Sequence, residues 1–548
     1  MGGWMGRHAT TTQAGITLAL LASLVSTMLL AGAGTDATAA AENDYPARDS
    51  GYHSYPEMAQ ALLAAQAAHP DIVRVFSIGD SYQGRAIWAA EVSDNVGTDE
   101  GEPEVMFDGL HHAREHLSGE MPLYILRLLT GNYGKDTATG RRVTRIVNSR
   151  RIWIIPMVNP DGLEYDLGGQ PYRSWRKNRQ PNPGSSSTGT DLNRNYDYAW
   201  SGGPASPASI NYRGRKPFSA PETRAIRDFV LSRRVAGVQR IRTHISFHTA
   251  GEFVLWPYGH THTPVPPDMT RLDALAFRKM GRHMASTNGY RPEQSSAMYP
   301  TYGDEIDWLY GTQRVFSYTF EMYPTNADTS PSRHYPPDEL IGRETRRNRE
   351  AVLYLMEQAA CPYRALGRAA SYCGPLYDDL EAARGWVTDP DGTDTATAGT
   401  WQRGDPHAGG RQLGSAVSGR YVLATGLHAG ADVDGGRTTI RSRSIHLPSS
   451  RAATLRLRYW VGMSTDATAH DRFRILLVRP SDGHVLASAL TVTGAGGARR
   501  PRWRHLAFAI PASLRGDDVA VQLYAADAGA DATVEAGVDD VRITAAAP

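Results

Sequence analysis

Between Tyr52 and Gln358 the chain alternates helical stretches with short runs that are apolar nearly throughout, and few architectures accept that combination. Helical periodicity covers Tyr55–Ala68 and Glu222–Ser232, while β-branched and aromatic residues dominate Ile72–Ile78, Val105–Asp108, Ile152–Val158, Ile245–His248 and Val315–Glu321. A strand with one wet face alternates in polarity, and a strand buried on both faces does not. These runs therefore predict interior strands of an α/β sheet covered by helices on both faces. Open sheets of this kind bind their ligands in the loops that follow strand ends.

After Cys373 the texture changes. Gly, Asp, Thr and Ala rise, helical periodicity fades, and alternating segments such as Thr454–Val461, Phe473–Val478 and Val519–Tyr524 predict an all-β sandwich. At 548 residues the chain exceeds what one compact core supports, so two folded domains are expected, with a linker over 376–384 and the sandwich over 385–548. The formal net charge is +1, from 58 basic and 57 acidic residues, which gives no reason to expect nucleic acid or an anionic membrane as partner.

The N-terminal segment reads as a secretory signal peptide over residues 1–41: Arg7 and His8 precede an apolar run, Ile16–Ala31, followed by small residues around Ala37-Thr38-Ala39. The run is shorter than the ~20 apolar residues a membrane anchor needs. The expectation is a secreted, extracellular protein with no membrane attachment after cleavage. Export favours a disulfide between Cys361 and Cys373, worth about 3 kcal/mol for so short a loop; two idle thiols are the alternative.

Chemistry enters where Val105–Asp108 runs into Gly109-Leu110-His111-His112-Ala113-Arg114-Glu115-His116. His112 and Glu115 stand three residues apart and can reach one metal ion. Catalytic zinc keeps three protein ligands and one open position, so a third donor is required, and His248, at the end of an apolar strand, is the best candidate. A His-x-x-Glu alone is weak evidence.

The surrounding segments change its weight. Trp175-Arg176-Lys177-Asn178-Arg179, Asp191-Leu192-Asn193-Arg194-Asn195, Tyr299 and Ser317-Tyr318-Thr319-Phe320-Glu321 resemble the zinc carboxypeptidase family typified by carboxypeptidase A, and within it the bacterial carboxypeptidase T branch, along roughly residues 45–373. The resemblance implies a mixed, mostly parallel sheet with helices on both faces and a catalytic domain over 42–375. It implies one zinc ion held by His112, Glu115 and His248, with Asp191 orienting His112. It assigns Glu321 as general base, Arg176 as the cation facing the developing oxyanion, and Asn193, Arg194, Tyr299 and Arg114 as substrate-binding residues, Arg194 receiving the free C-terminal carboxylate. His111 and His116 match no ligand position, and His244 reads as an ordinary sheet histidine. Ile306 matches the base of the specificity pocket and Asp304 an acidic pocket position, which together imply apolar, aromatic and basic C-terminal residues; Asp304 in a solvated loop is the alternative.

Two features depart from carboxypeptidase A. No folded pro-segment is expected between the leader and the catalytic sequence. The β domain, from Trp386–Asp394 to Val534–Val541, resembles jelly-roll modules of secreted bacterial hydrolases, with a glycan or cell-surface ligand as the expected partner. Structural calcium is a further expectation, at Asp539 and Asp540 or at the acidic loop Asp94, Asp99, Glu100, Glu102 and Glu104, although turn residues and a solvated charge run account for the same sequences. The predicted partners are peptides and proteins with a free C-terminus, and the predicted state is a monomer. The competing functions are an amide hydrolase of the same fold acting on cell-wall peptides, and a catalytically silent surface-binding protein.

Overall fold

The computed structural model of the chain describes residues 49–528 and 532–545. The leader expected at 1–41 lies outside the described residues. An eight-stranded sheet is built from β1 (Val73–Asp80), β2 (Ala86–Val92), β3 (Glu104–Gly109), β4 (Arg151–Ile155), β5 (Ile241–Gly251), β6 (Phe253–Trp256), β7 (Arg291–Gln294) and β8 (Phe316–Thr325). Their order is β1-β2-β4-β3-β5-β8-β6-β7. The central strands β4, β3, β5 and β8 run parallel, and β2 against β4 and β6 against β8 run antiparallel. The mixed, mostly parallel sheet expected from the sequence is present.

Side chains alternate across a strand, so each strand feeds two cores. Val105 and Phe107 of β3, Ile152 and Ile154 of β4, and Ile245 and Phe247 of β5 pack with Leu117, Met121, Phe277 and Val352 from helices on one face. Met106, Trp153 and Ile155 pack on the other face with Ile226 and Phe229 of helix Pro221–Ser232 and with Trp308 and Leu309 of helix Glu305–Gln313. The inner strands β5 and β8 depart from the uniformly apolar reading. His244, Ser246 and His248 alternate with Ile245 and Phe247, and Ser317, Thr319 and Glu321 alternate with Tyr318 and Phe320. One face of each is thus a row of polar groups, buried except for the half-buried Glu321, and the site is built there.

β3 ends in a turn that only this sequence permits. A Cβ on Gly109 would lie 2.3 Å from the Ser118 carbonyl oxygen, so glycine is required for helix His116–Asn132 to approach. Leu110 then takes φ +58°, a left-handed conformation costly for a branched side chain, and swings the chain out of the strand. Asn159 secures the new direction by donating Nδ2 to the His111 and Lys177 carbonyls.

The C-terminal region is a sandwich of two antiparallel sheets. One contains Trp401–Gly404, Val422–Thr425, Val534–Ala545, Ala453–Met463 and Arg504–Ala509; the other contains Val387–Thr388, Gly436–Arg441, Asp518–Asp527, Arg472–Val478 and Val485–Thr493. Their inward residues, among them Trp401, Leu455, Phe473, Leu523 and Val538, form one core. Residues 376–384, expected as a connector, begin with strand Leu376–Asp378 paired to Val534–Ala545, and Leu380 and Glu381 are buried. Glu381 accepts the Arg420 and Tyr421 backbone N–H groups at 2.8 Å through one oxygen and meets Arg314, just past helix Glu305–Gln313, at 3.4 Å through the other. Cys361 and Cys373 are disulfide-bonded immediately before this junction. No helix among the described residues is long and apolar enough to cross a membrane.

Candidate metal centre and substrate cleft

Three donors from separate elements converge beyond the ends of β3 and β5. His112 follows the Leu110 turn, Glu115 immediately precedes helix His116–Asn132, and His248 projects from β5. His112 Nδ1 lies 2.9 Å from Glu115 Oε1 and 3.1 Å from His248 Nδ1, and His248 Nδ1 lies 3.0 Å from Glu115 Oε2. Four-coordinate zinc with bonds near 2.1 Å separates its ligands by about 3.4 Å, so the donor set fits the ion in chemistry and would open by a few tenths of an ångström to hold it. Two imidazole nitrogens facing each other across a carboxylate, all buried, require a cation or proton between them.

The other face of each ligand is tied down. His112 Nε2 meets Asp191 Oδ1 at 3.1 Å, and Asp191 Oδ2 accepts the Arg176 Nε–H at 2.9 Å. Against the upward push of burial, the Arg176 charge and His112 hold the Asp191 carboxyl well below the usual range. Asp191 also caps the short turn Leu192–Arg194, accepting the Asn193 N–H. One carboxylate therefore positions a metal donor, a guanidinium and the loop bearing Asn193 and Arg194.

That loop forms a cleft with His112, Leu255, Ser295, Met298, Tyr299, Thr301, Asp304, Thr319 and Glu321. Arg194 is buried, with Nη1 donating to the Asn193 carbonyl and Nη2 standing 3.4 Å from the Tyr299 hydroxyl. Tyr299 itself is 47% exposed at the mouth of the cleft. Glu321 faces His248 in the β5–β8 register. Burial and the Glu115 charge push its carboxyl up to about 8.

Asp304 does not point into solvent. It is buried in the cleft wall, caps helix Glu305–Gln313 by accepting the Asp307 N–H, and hydrogen-bonds Thr301. Burial and the neighbouring Asp307 raise its carboxyl to about 7. Ile306 is buried at the next turn, and neither it nor the half-buried Arg114 is among the residues lining the cleft.

The acidic segments separate. Asp94, Glu100 and Glu102 bring oxygens within 4.8 Å of one another, whereas Glu104, expected with them, is buried in β3, paired to Arg233 at 2.6 Å and accepting the Trp153 indole N–H. Asp539, within strand Val534–Ala545, has both oxygens engaged by the backbone N–H groups of Val417, Ser418 and Asp540.

Sequence reasoning missed a polar cluster behind the metal centre. Asp108, at the end of β3, accepts from Ser246 Oγ at 2.8 Å and from His244 Nε2 at 2.7 Å, and His244 Nδ1 contacts Ser317 Oγ at 2.6 Å. His111 Nε2 lies 2.8 Å from the Tyr196 hydroxyl and 3.5 Å from Glu305. The signal was the period-two polar row of β5 and β8, masked by the apolar residues between.

A model of the zinc carboxypeptidase family matches residues 58–351, more than half of the chain. The chain belongs to that family. A zinc carboxypeptidase from Saccharothrix mutabilis subsp. capreolus is 46% identical over 327 residues, 59% of this chain and 73% of that protein. One from Simulium vittatum is 32% identical over 301 residues, 54% and 93% of the two chains. Among solved structures, thrombin activatable fibrinolysis inhibitor superposes with a TM-score of 0.50 at 25% identity, covering 56% of this chain and 74% of that one. This carboxypeptidase is thus a zinc metallopeptidase acting on peptide substrates.

Proposed function

We propose that the carboxypeptidase removes single residues from the free C-terminus of peptides, with Glu321 as general base, Arg176 opposite the developing oxyanion and Arg194 as receptor for the terminal carboxylate. The observation that carries this reading is the cleft itself, where His112, Asn193, Arg194, Tyr299 and Glu321 share one wall. Zinc held by His112, Glu115 and His248 supplies, when bound, a Lewis acid that acidifies water and polarises a carbonyl. Glu321 takes the proton of the attacking water and delivers it to the departing amine. The Arg176 guanidinium, fixed by Asp191, stabilises the negative charge that grows on the carbonyl oxygen. Arg194 presents a planar fork to the substrate's α-carboxylate, with the Asn193 amide beside it and Tyr299 closing over.

Specificity is read as broad, with Ile306 favouring apolar and aromatic end residues and Asp304, in the cleft wall, setting the response to basic ones. The apolar leader and the Cys361–Cys373 disulfide support secretion. The domain division is read as 42–375 and 385–548, and the calcium expectation narrows to Asp94, Glu100 and Glu102, where burial and mutual repulsion raise Glu102 to about 7.

A peptide with a free C-terminus and its amidated twin test the exopeptidase reading: release from the free form alone is expected, and equal cleavage of both would favour the amide hydrolase. Glu321→Gln should keep one zinc per chain and lose about 10²–10⁴-fold in kcat. A rate within a few-fold of the parent would make another group the base. Asp304 is neutral below about pH 7 and anionic above it, so cleavage of C-terminal Lys or Arg relative to Phe or Leu should rise through neutrality. Asp304→Asn should abolish that rise, and a parallel change on both substrate types would make the residue structural.

A further inference from the structure

We infer that Asp108, acting through Ser246, selects the tautomer in which His248 can bind metal. The inference deepens the proposed function and rests on its assignment of His248 as a ligand. His248 Nδ1 faces His112 Nδ1 and Glu115, so it must offer a lone pair there, and the ring proton must sit on Nε2. Two groups stand 3.3 Å from Nε2, the Ser246 hydroxyl and the Asn193 amide nitrogen, and they demand opposite tautomers. Asn193 Oδ1 accepts the Glu305 N–H at 2.9 Å, which fixes Nδ2 as the atom facing the ring; Nδ2 can only donate, and so favours an Nε2 without a proton.

Ser246 decides between them. Its hydroxyl has one proton, and Asp108 Oδ1 takes it at 2.8 Å, leaving Ser246 a lone pair that accepts from His248 Nε2–H. Asp108 is itself held, because Oδ2 receives His244 Nε2 at 2.7 Å and the other nitrogen of that ring meets Ser317 Oγ. All of these groups are fully buried, so water cannot substitute for a missing partner. Without the Asp108 carboxylate the Ser246 hydroxyl is released toward the other acceptors in reach, Nε2 and the buried Glu305 carboxyl, and donation to Nε2 would place the ring proton on the ligating nitrogen. The Asn193 amide, unable to pair with an Nε2–H, is left available to a substrate carboxylate.

Asp108, His244 and Glu305 also lie close enough together to suggest a second cation site. The 2.7 Å between Asp108 and His244 is a hydrogen-bond distance, and the other nitrogen of that ring already meets Ser317 Oγ, which supports the positioning role.

The test is zinc affinity of the chelator-stripped full chain, by competition with a chromophoric chelator, with the visible spectrum of the cobalt-substituted protein as a second readout. Asp108→Asn and Ser246→Ala should each weaken zinc binding by about 10–100-fold and shift the cobalt bands. The double variant should be no weaker than the weaker single, because the two act in series. Ser246→Thr, which keeps the hydroxyl, should retain parental affinity; if Asp108→Asn fails to fold, the Ala and Thr pair decides alone. Parental affinity in Ser246→Ala, additive losses in the double variant, or equal loss in Ala and Thr would overturn the assignment. A parent that takes up no zinc would overturn the proposed function as well, whereas a zinc-binding parent with unaffected variants overturns only the role of Asp108 and Ser246.

Discussion

The site depends on the burial of Asp191. Its two oxygens hold His112 Nε2, the Asn193 N–H and Arg176 Nε, so a metal donor, the Asn193–Arg194 loop and the Arg176 guanidinium share one anchor. A carboxylate taken out of water in this way is tolerable only because the guanidinium and the imidazole repay its desolvation, and the same pairing keeps it ionised. Loss of any one partner leaves the others with a buried, uncompensated charge. The geometry of the cleft and the charge balance of the interior are therefore one problem with one solution.

A second layer extends the logic to the remaining ligand. The strands β5 and β8 devote one face to apolar packing and the other to polar groups, and only the hydrogen bonds among Asp108, Ser246, His244 and Ser317 make the polar face bearable. Helix Glu305–Gln313 closes over that face with Trp308 and Leu309, begins at Asp304 in the cleft wall, and is followed by Arg314, which reaches Glu381 at the root of the sandwich. The sandwich is accordingly fastened to the element that borders the substrate cleft.

Much of this was legible in the sequence, for identifiable reasons. Strand β3 announces itself through the apolar run Val105–Asp108, whereas the Leu110 turn and the helix His116–Asn132 were not read from the sequence. The convergence of His112, Glu115 and His248, and the placing of Asn193, Arg194, Tyr299 and Glu321 along one cleft, followed from a resemblance carried by motifs far apart in the chain, not from any local pattern. The Asp108 cluster was not legible, because a serine and a histidine inside an apolar strand look the same whether they face a neighbour or a metal ligand. Glu104 was misplaced for a related reason: its partners, Arg233 and Trp153, are brought to it by the sheet, across 129 and 49 residues of chain. Asp304 lies in the cleft wall and Ile306 is buried two residues further along the same helix, and neither position could be told from local sequence pattern alone.

The convergence of two imidazoles and a carboxylate on one cation is the claim on which the rest stands. An anomalous difference map recorded at the zinc absorption edge tests it most directly. The account predicts a single strong peak within bonding distance of His112 Nδ1, Glu115 and His248 Nδ1 in crystals of active protein. Active crystals with no peak at that point would contradict it.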